Sequence, residues 1–185
     1  KSKKSGQQPE IRQLTKYEKQ AIESYQDTSY IDLNDKLRQG QSLGEEQKSL
    51  FGKIQSGIQH TKKFSGTVYR GMVLDNMDDY QSFKKQLDDG YVRDEAFMST
   101  SKAEDVADYY IDDALEEVEE QGAEVGIDVK FIIKANGKRG IDLTEFSDQF
   151  AEEKEVLFEA GTDFNVDNYS IDEEDQSIIV YLSEM

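Results

Sequence analysis

The sequence predicts an α+β protein in which helices come first and a mixed β core follows. Three observations carry this. Apolar residues in the first sixty positions recur at three- and four-residue spacing, whereas short runs with strand-like alternation dominate from Thr67 onward. No internal repeat or linker composition divides the chain, and its 185 residues suit one domain with a substantial core. Pro9, the only proline, closes a polar stretch, so residues 1–9 are expected to be a disordered arm and residues 10–185 a single domain.

Taken in order, Thr15 and Glu18 have capping-box spacing, with Tyr17, Ala21 and Tyr25 on one helical face, which predicts a helix from about Lys16. A second short helix is expected to stop before Gly40. Leu50, Phe51, Ile54 and Ile58 make a third apolar stripe. Strands are predicted at Thr67 to Met72, Glu95 to Ser101, Gly126 to Ala135, Glu155 to Phe158, Thr162 to Val166 and Ser177 to Leu182. Two helices fall between them. One runs from Met77 to Leu87, and the other follows a second capping-box spacing at Ser101 and Glu104, with Ala103, Val106, Ala107, Tyr110, Ala114 and Val118 on one face. Gly137-Lys138-Arg139-Gly140 reads as a turn.

Composition narrows the function. Forty acidic residues against 22 basic ones give a formal charge of −18, which disfavours direct binding to nucleic acid or to anionic membranes and suits a basic, arginine-bearing protein surface. The acidity also reads simply as a solvated surface. No apolar run approaches the roughly 20 residues that span a bilayer. Without cysteine the chain has no disulfide, no thiolate nucleophile and no Cys-ligated zinc. The dinucleotide-binding GxGxxG and phosphate-loop patterns are absent, which argues against Rossmann and P-loop chemistry. The first residues, KSKKSGQQPE, lack the apolar core of a signal peptide, and they read equally as the start of a processed or excised piece of a longer protein and as an arbitrarily chosen boundary.

Two further patterns have bland readings. Asp163, Asn165, Asp167 and Glu174 match positions of a calcium-binding EF-hand loop, but Asn168 stands where the turn glycine belongs and Ser170 where an apolar residue belongs. Strand alternation of Phe164 and Val166 is the better reading, and no metal is expected. His60, the sole histidine, lies at a helix end and reads as a cap or surface residue.

The chemistry concentrates in three short motifs, Tyr69-Arg70-Gly71, Ser99-Thr100-Ser101 and Glu153-Lys154-Glu155. On a strand, residues two apart lie on the same side roughly 7 Å from each other, so the Glu153 and Glu155 carboxylates are expected to look into one cleft. An arginine inside a strand needs anionic partners, which a pyrophosphate supplies through charge-assisted hydrogen bonds, and Gly71 beside it permits close backbone approach. Each motif alone has an ordinary structural reading, and Ser101 reads more readily as a helix cap than as a catalytic group.

In this order, and with LTKYEKQAIESYQDTSYIDLNDKLR before them and GIDLTEFSDQFAEEKEVLF and EAGTDFNV around and after the last, the motifs resemble the Arg-Ser-Glu mono-ADP-ribosyltransferases, the binary-toxin and phage types, over about residues 10 to 185. The resemblance implies a mainly antiparallel β core of the ADP-ribosyltransferase type and NAD as substrate, without a metal. It implies that Arg70 and Gly71 bind NAD, that Ser99 orients Glu155, that Glu155 holds the nicotinamide ribose, and that Glu153 addresses the acceptor. A glutamate at the first position is similar to the arginine-modifying branch. Tyr109 and Tyr110 are then the aromatic residues for nicotinamide, and Phe146 and Phe150 lie in the acceptor-recognition segment, Gly140 to Glu152. Related toxins carry a second phosphate-binding arginine shortly after the Ser-Thr-Ser. Here none follows until Arg139, leaving Lys102 or Arg93 as substitutes.

The implied function is transfer of ADP-ribose from NAD to arginine side chains of a host-cell target protein, by a secreted toxin component or a phage protein acting in the host cytoplasm. The alternatives are an NAD glycohydrolase and a catalytically silent binding domain of the same fold.

Overall fold

A computed structural model describes residues 9–26, 29–146 and 151–185. The polar arm expected over residues 1–9 lies, apart from Pro9, outside them. The chain divides into two compact units, Lys1–Lys62 and Lys63–Met185. Among the described residues there are five α-helices and eight strands.

The first unit is helical. Helix α1, Lys16–Glu23, starts at the predicted capping box, in which Glu18 N donates to Thr15 Oγ1 (3.2 Å) and Thr15 N to Glu18 Oε2 (2.8 Å). A 3-10 turn at Ser24–Gln26 leads to α2, Ser29–Arg38, where the buried Asn34 donates to Tyr25 Oη at 2.8 Å. Helix α3, Glu45–Gln59, ends on His60, whose Nδ1 donates to Ser56 O at 2.8 Å, the capping role expected of it. A Cβ at Gly57 would stand 2.7 Å from Ile22 Cδ1, so α3 and α1 approach through a glycine. Glu18 ties this packing together, accepting from Arg12 Nη2 (2.6 Å), Arg12 Nη1 (2.9 Å) and Ser56 Oγ (2.7 Å). One predicted face residue departs: Tyr17 is exposed, covered by the Lys53 ammonium 5.6 Å from its ring centre, while Ala21, Ile22 and Tyr25 are buried.

The second unit is an eight-stranded sheet with helices. Its elements are β1 (Ser65–Leu74), α4 (Met77–Asp89), β2 (Tyr91–Asp94), β3 (Met98–Ser101), α5 (Glu104–Glu120), β4 (Ile127–Asn136), β5 (Gly140–Asp142), β6 (Glu155–Phe158), β7 (Thr162–Asp172) and β8 (Ser177–Glu184). The strand order is β2-β7-β8-β4-β1-β3-β6-β5, every pairing being antiparallel except β4 with β8. One face buries Val68, Met98, Val129, Phe131, Ile133, Val156, Phe158, Phe164 and Val180 around Phe83 and Leu87 of α4. Alternation along β4 is the strand period expected of a half-covered sheet.

Sequence expectations for α5, for β7 and for the sheet edges change here. Helix α5 begins at Glu104 with Ala103 as N-cap, so Ser101 is not its cap, and its buried stripe is Ala107 and Ile111, with Tyr110 half exposed at 47%. Strand β7 runs on to Asp172, because pairing with β8 resumes after a bulge between Val166 and Asn168. That strand contains Asp163, Asn165 and Asp167, which rules out an EF-hand loop, and no cluster of metal-ligating side chains occurs among the described residues. Finally, β2 and β5 were not predicted; they are the two edge strands, only four and three residues long.

Candidate active site

The three motifs meet at the neighbouring strands β1, β3 and β6, toward the β5 edge of the sheet. Arg70 lies on β1, Ser99 on β3 and Glu155 opens β6. In the β3/β6 ladder Ser101 stands opposite Glu155 and Ser99 opposite Leu157. Ser99 is thus the diagonal, same-face neighbour of Glu155, within side-chain reach across an antiparallel pair. Ser99 Oγ donates to Glu155 Oε1 at 2.5 Å. Glu155 is buried, 3% exposed as a residue, so this is a charge-assisted bond at a buried position. Thr100, between the serines, is turned to the other face, and its hydroxyl donates to Val156 O at 2.8 Å.

Strand β1 pairs with β3 at one position, Tyr69 opposite Ser101. Arg70 is half-buried, and its Nη1 donates to Ser99 O at 2.8 Å, so the guanidinium is tethered to the backbone of the residue that holds Glu155. A positive group, a hydroxyl and a carboxylate are thereby connected in series through Ser99.

Glu153 reaches this neighbourhood by a different route from the one predicted. The strand starts at Glu155, and Lys154 adopts a left-handed backbone with φ of 47°. Strand alternation therefore does not extend to Glu153, which is exposed where Glu155 is buried. Its main chain is fixed instead by Ser101, whose Oγ donates to Glu153 O at 2.7 Å and accepts from Ala103 N at 3.0 Å. Lys102 N donates to Lys154 O at 3.0 Å. The cap reading of Ser101 missed this role, and sequence spacing carries no signal for it.

At Gly71 a Cβ would run into the carbonyl of Ala107 and stand 2.5 Å from Ile111 Cγ1, so the missing side chain makes room for α5. Helix α5 is further pinned by Lys130 of β4, which bridges Asp108 (2.5 Å) and Glu104 (3.1 Å). On that helix Tyr109 and Tyr110 are exposed at 65% and 47%, their rings edge to face 5.9 Å apart. Phe146 is half-buried after a 3-10 turn at Leu143–Glu145; Phe150 lies outside the described residues.

Neither substitute for the second arginine is uncommitted. Arg93 is paired with Glu95 (2.5 Å) and Asp163 (3.0 Å). Lys102 Nζ donates to Asp142 Oδ2 (2.6 Å) and Thr144 Oγ1 (3.2 Å). Burial alone would raise the Asp142 carboxyl, and the bonds from Lys102 and Thr144 outweigh it, holding the group below its ordinary value.

With this fold and this arrangement, the chain belongs to the ADP-ribosyltransferase exoenzyme family, whose pattern it matches over residues 4–183. NAD is the substrate of that family's chemistry. Among solved structures, the fold is similar to the Vis toxin, an ADP-ribosyltransferase from Vibrio splendidus, at 22% identity over 93% of this chain and 74% of that one, with a TM-score of 0.72. It is also similar to exoenzyme S from Pseudomonas aeruginosa, at 22% identity over 92% of this chain and 74% of that one, with a TM-score of 0.64. HopU1 of Pseudomonas syringae matches at 24% identity over 85% of this chain and 65% of that one, with a TM-score of 0.63. No curated protein matches the chain by sequence alone.

Proposed function

We propose that the chain transfers ADP-ribose from NAD to arginine side chains of a target protein, releasing nicotinamide. The observation that carries the reading is the Ser99 to Glu155 bond, with Arg70 tethered to the same serine and Glu153 two residues before the buried carboxylate. Support for the acceptor comes from the Vis toxin, a structure of which was solved with agmatine, a small guanidine, at 22% identity and a TM-score of 0.70 over 95% of this chain and 77% of that one.

In this reading Arg70 binds the NAD pyrophosphate. The bond between nicotinamide N1 and the ribose C1′ breaks, its electron pair leaving with nicotinamide. Positive charge then develops on the ribose, and Glu155, held by Ser99, stabilises it as it forms. The acceptor guanidinium is cationic and must lose a proton while one of its nitrogens bonds C1′; Glu153 orients it and takes that proton. Tyr109 or Tyr110 stacks on nicotinamide, and Phe146 and Phe150 contact the acceptor. The formal charge of −18 favours encounter with a basic surface.

Glu153→Gln tests the division of labour. Arginine modification is expected to fall steeply, by about a hundredfold, the size of a lost general base, while slow NAD hydrolysis persists. Mass spectrometry of the acceptor alongside nicotinamide release gives both readings from one reaction. Equal loss of both activities would assign Glu153 to the cleavage step, and nicotinamide release indifferent to any acceptor would leave an NAD glycohydrolase.

A further inference from the structure

We propose that Ser101 and Lys102 form a clip that joins the two ends of the segment between Asp142 and Glu153, and that Lys102 and Asp142 are positioning residues for the acceptor, not contacts to NAD. The proposal rests on the arginine-transfer reading of Glu153.

Two consecutive residues at the end of β3 make four bonds to two places far apart in sequence. At the leading end, Lys102 Nζ donates to Asp142 Oδ2 at 2.6 Å and to Thr144 Oγ1 at 3.2 Å. Asp142 in turn accepts from Thr144 Oγ1 (2.6 Å) and Thr144 N (3.0 Å) through Oδ1. At the trailing end, Ser101 Oγ donates to Glu153 O at 2.7 Å and Lys102 N to Lys154 O at 3.0 Å. The Asp142 side chain is 16% exposed and that of Lys102 29%, so the pair is shielded from solvent more than a surface ion pair.

The geometry matters because Glu153 has no strand to hold it. Strand β6 begins two residues later, and the left-handed Lys154 between them breaks the ladder. Hydrogen bonds from Ser101, the last residue of β3, and from Lys102 beyond it reach the carbonyls of Glu153 and Lys154 and help set this backbone beside Glu155. Ser99, two residues earlier on the same strand, sets the Glu155 side chain. One strand therefore registers both carboxylate-bearing residues, the buried one by its side chain and the exposed one by its backbone. The Lys102–Asp142 pair brings the opposite end of the segment to the same anchor. Loss of the pair frees that end while leaving the Ser99 to Glu155 bond in place.

The test compares Lys102→Met, Asp142→Asn, their double variant and Lys102→Arg with the parent protein. Transfer to agmatine and to a protein acceptor is measured alongside nicotinamide release without acceptor, and hydrogen exchange is followed over 143–146, 151–154 and 155–158. The proposal expects KM for agmatine to rise tenfold or more in Lys102→Met and Asp142→Asn, with KM for NAD and acceptor-free hydrolysis within twofold of the parent. The double variant should be no worse than either single one, and Lys102→Arg should restore part of the loss. Exchange should quicken over 143–146 and 151–154 and stay unchanged over 155–158. A raised KM for NAD with an unchanged KM for agmatine would make Lys102 a phosphate contact and overturn the proposal, as would equal loss of every parameter. A parent protein that hydrolyses NAD and never modifies agmatine or protein arginine sinks the arginine reading itself. The exchange data then still decide on the clip, since unaltered exchange over 143–146 and 151–154 would refute it whatever the acceptor.

Discussion

Ser99→Ala removes one oxygen and isolates the link between β3 and the buried carboxylate. In the parent, the hydroxyl donates to Glu155 Oε1 at 2.5 Å, and Glu155 is a buried residue, 3% exposed, which limits replacement of the lost donor by water. A hydrogen bond to a charged group contributes about 1.5–3 kcal/mol. If that bond keeps Glu155 where ribose charge develops, its loss appears in the barrier, and about 1.36 kcal/mol per decade converts the range to roughly 10- to 150-fold in turnover. Because both outcomes of NAD cleavage pass through the same charged ribose, nicotinamide release and arginine modification should fall by the same factor. The Arg70 bond to Ser99 O uses the backbone and survives the substitution, so KM for NAD should change little. The assay is steady-state nicotinamide release with and without agmatine, with circular dichroism to confirm folding. Turnover within twofold of the parent in a folded variant would refute the role given to Ser99. A large rise in KM with unchanged kcat would move it from orienting Glu155 to binding NAD.

Arg70→Lys keeps the charge and loses the planar fork, so affinity for NAD should fall by about tenfold or more, read by isothermal titration; unchanged affinity would make Arg70 a structural tether to Ser99 O. Gly71→Ala places a methyl against the carbonyl of Ala107 and the Ile111 side chain, an overpacking expected to cost about 1–3 kcal/mol, and an unaltered melting temperature would contradict the close approach of α5. Hydrogen bonds from Arg12 outweigh burial and, helped by Ser56 and Thr15, hold the Glu18 carboxyl well below the usual carboxylate range. A depressed folded pKa adds stability above the ordinary value, lost as pH falls through and below it. Glu18→Gln should therefore flatten the acid limb of an unfolding curve followed by helical circular dichroism, and coincident acid limbs would refute this.

The parts of the fold legible in the sequence are those with a local physical cause. The Thr15 and Glu18 box, the stripe ending in Ile54 and Ile58, and the alternation of β4 announce themselves because a few neighbouring residues determine them. The edge strands β2 and β5 do not. Four residues with a charged pair, Arg93 and Asp94, and three residues starting at a glycine carry too little pattern, and only pairing with β7 and β6 makes them strands. The polar second half of β7 is likewise imposed by β8. Tyr17 and Tyr110 show the limit of helical periodicity, since an aromatic ring at the margin of an apolar stripe lies on either side of the burial boundary.

The candidate site divides along the same line. Arg70, Ser99 and Glu155 are found from residue type and order, and the antiparallel register of β3 on β6 explains why the serine lies diagonal to the carboxylate. What the spacing Glu153-Lys154-Glu155 does not reveal is that the two glutamates are held by different physics. Glu155 belongs to a ladder, buried and positioned by its strand. Glu153 stands beyond a left-handed residue and depends on Ser101 and Lys102 for its backbone. The cleavage step, on this assignment, relies on the glutamate buried in a strand ladder, and acceptor choice relies on the one supported by residues outside the Arg-Ser-Glu signature. Substitutions at Lys102 or Asp142 are then expected to weaken use of the acceptor while sparing NAD cleavage, and substitutions at Ser99 or Glu155 are expected to lower both together.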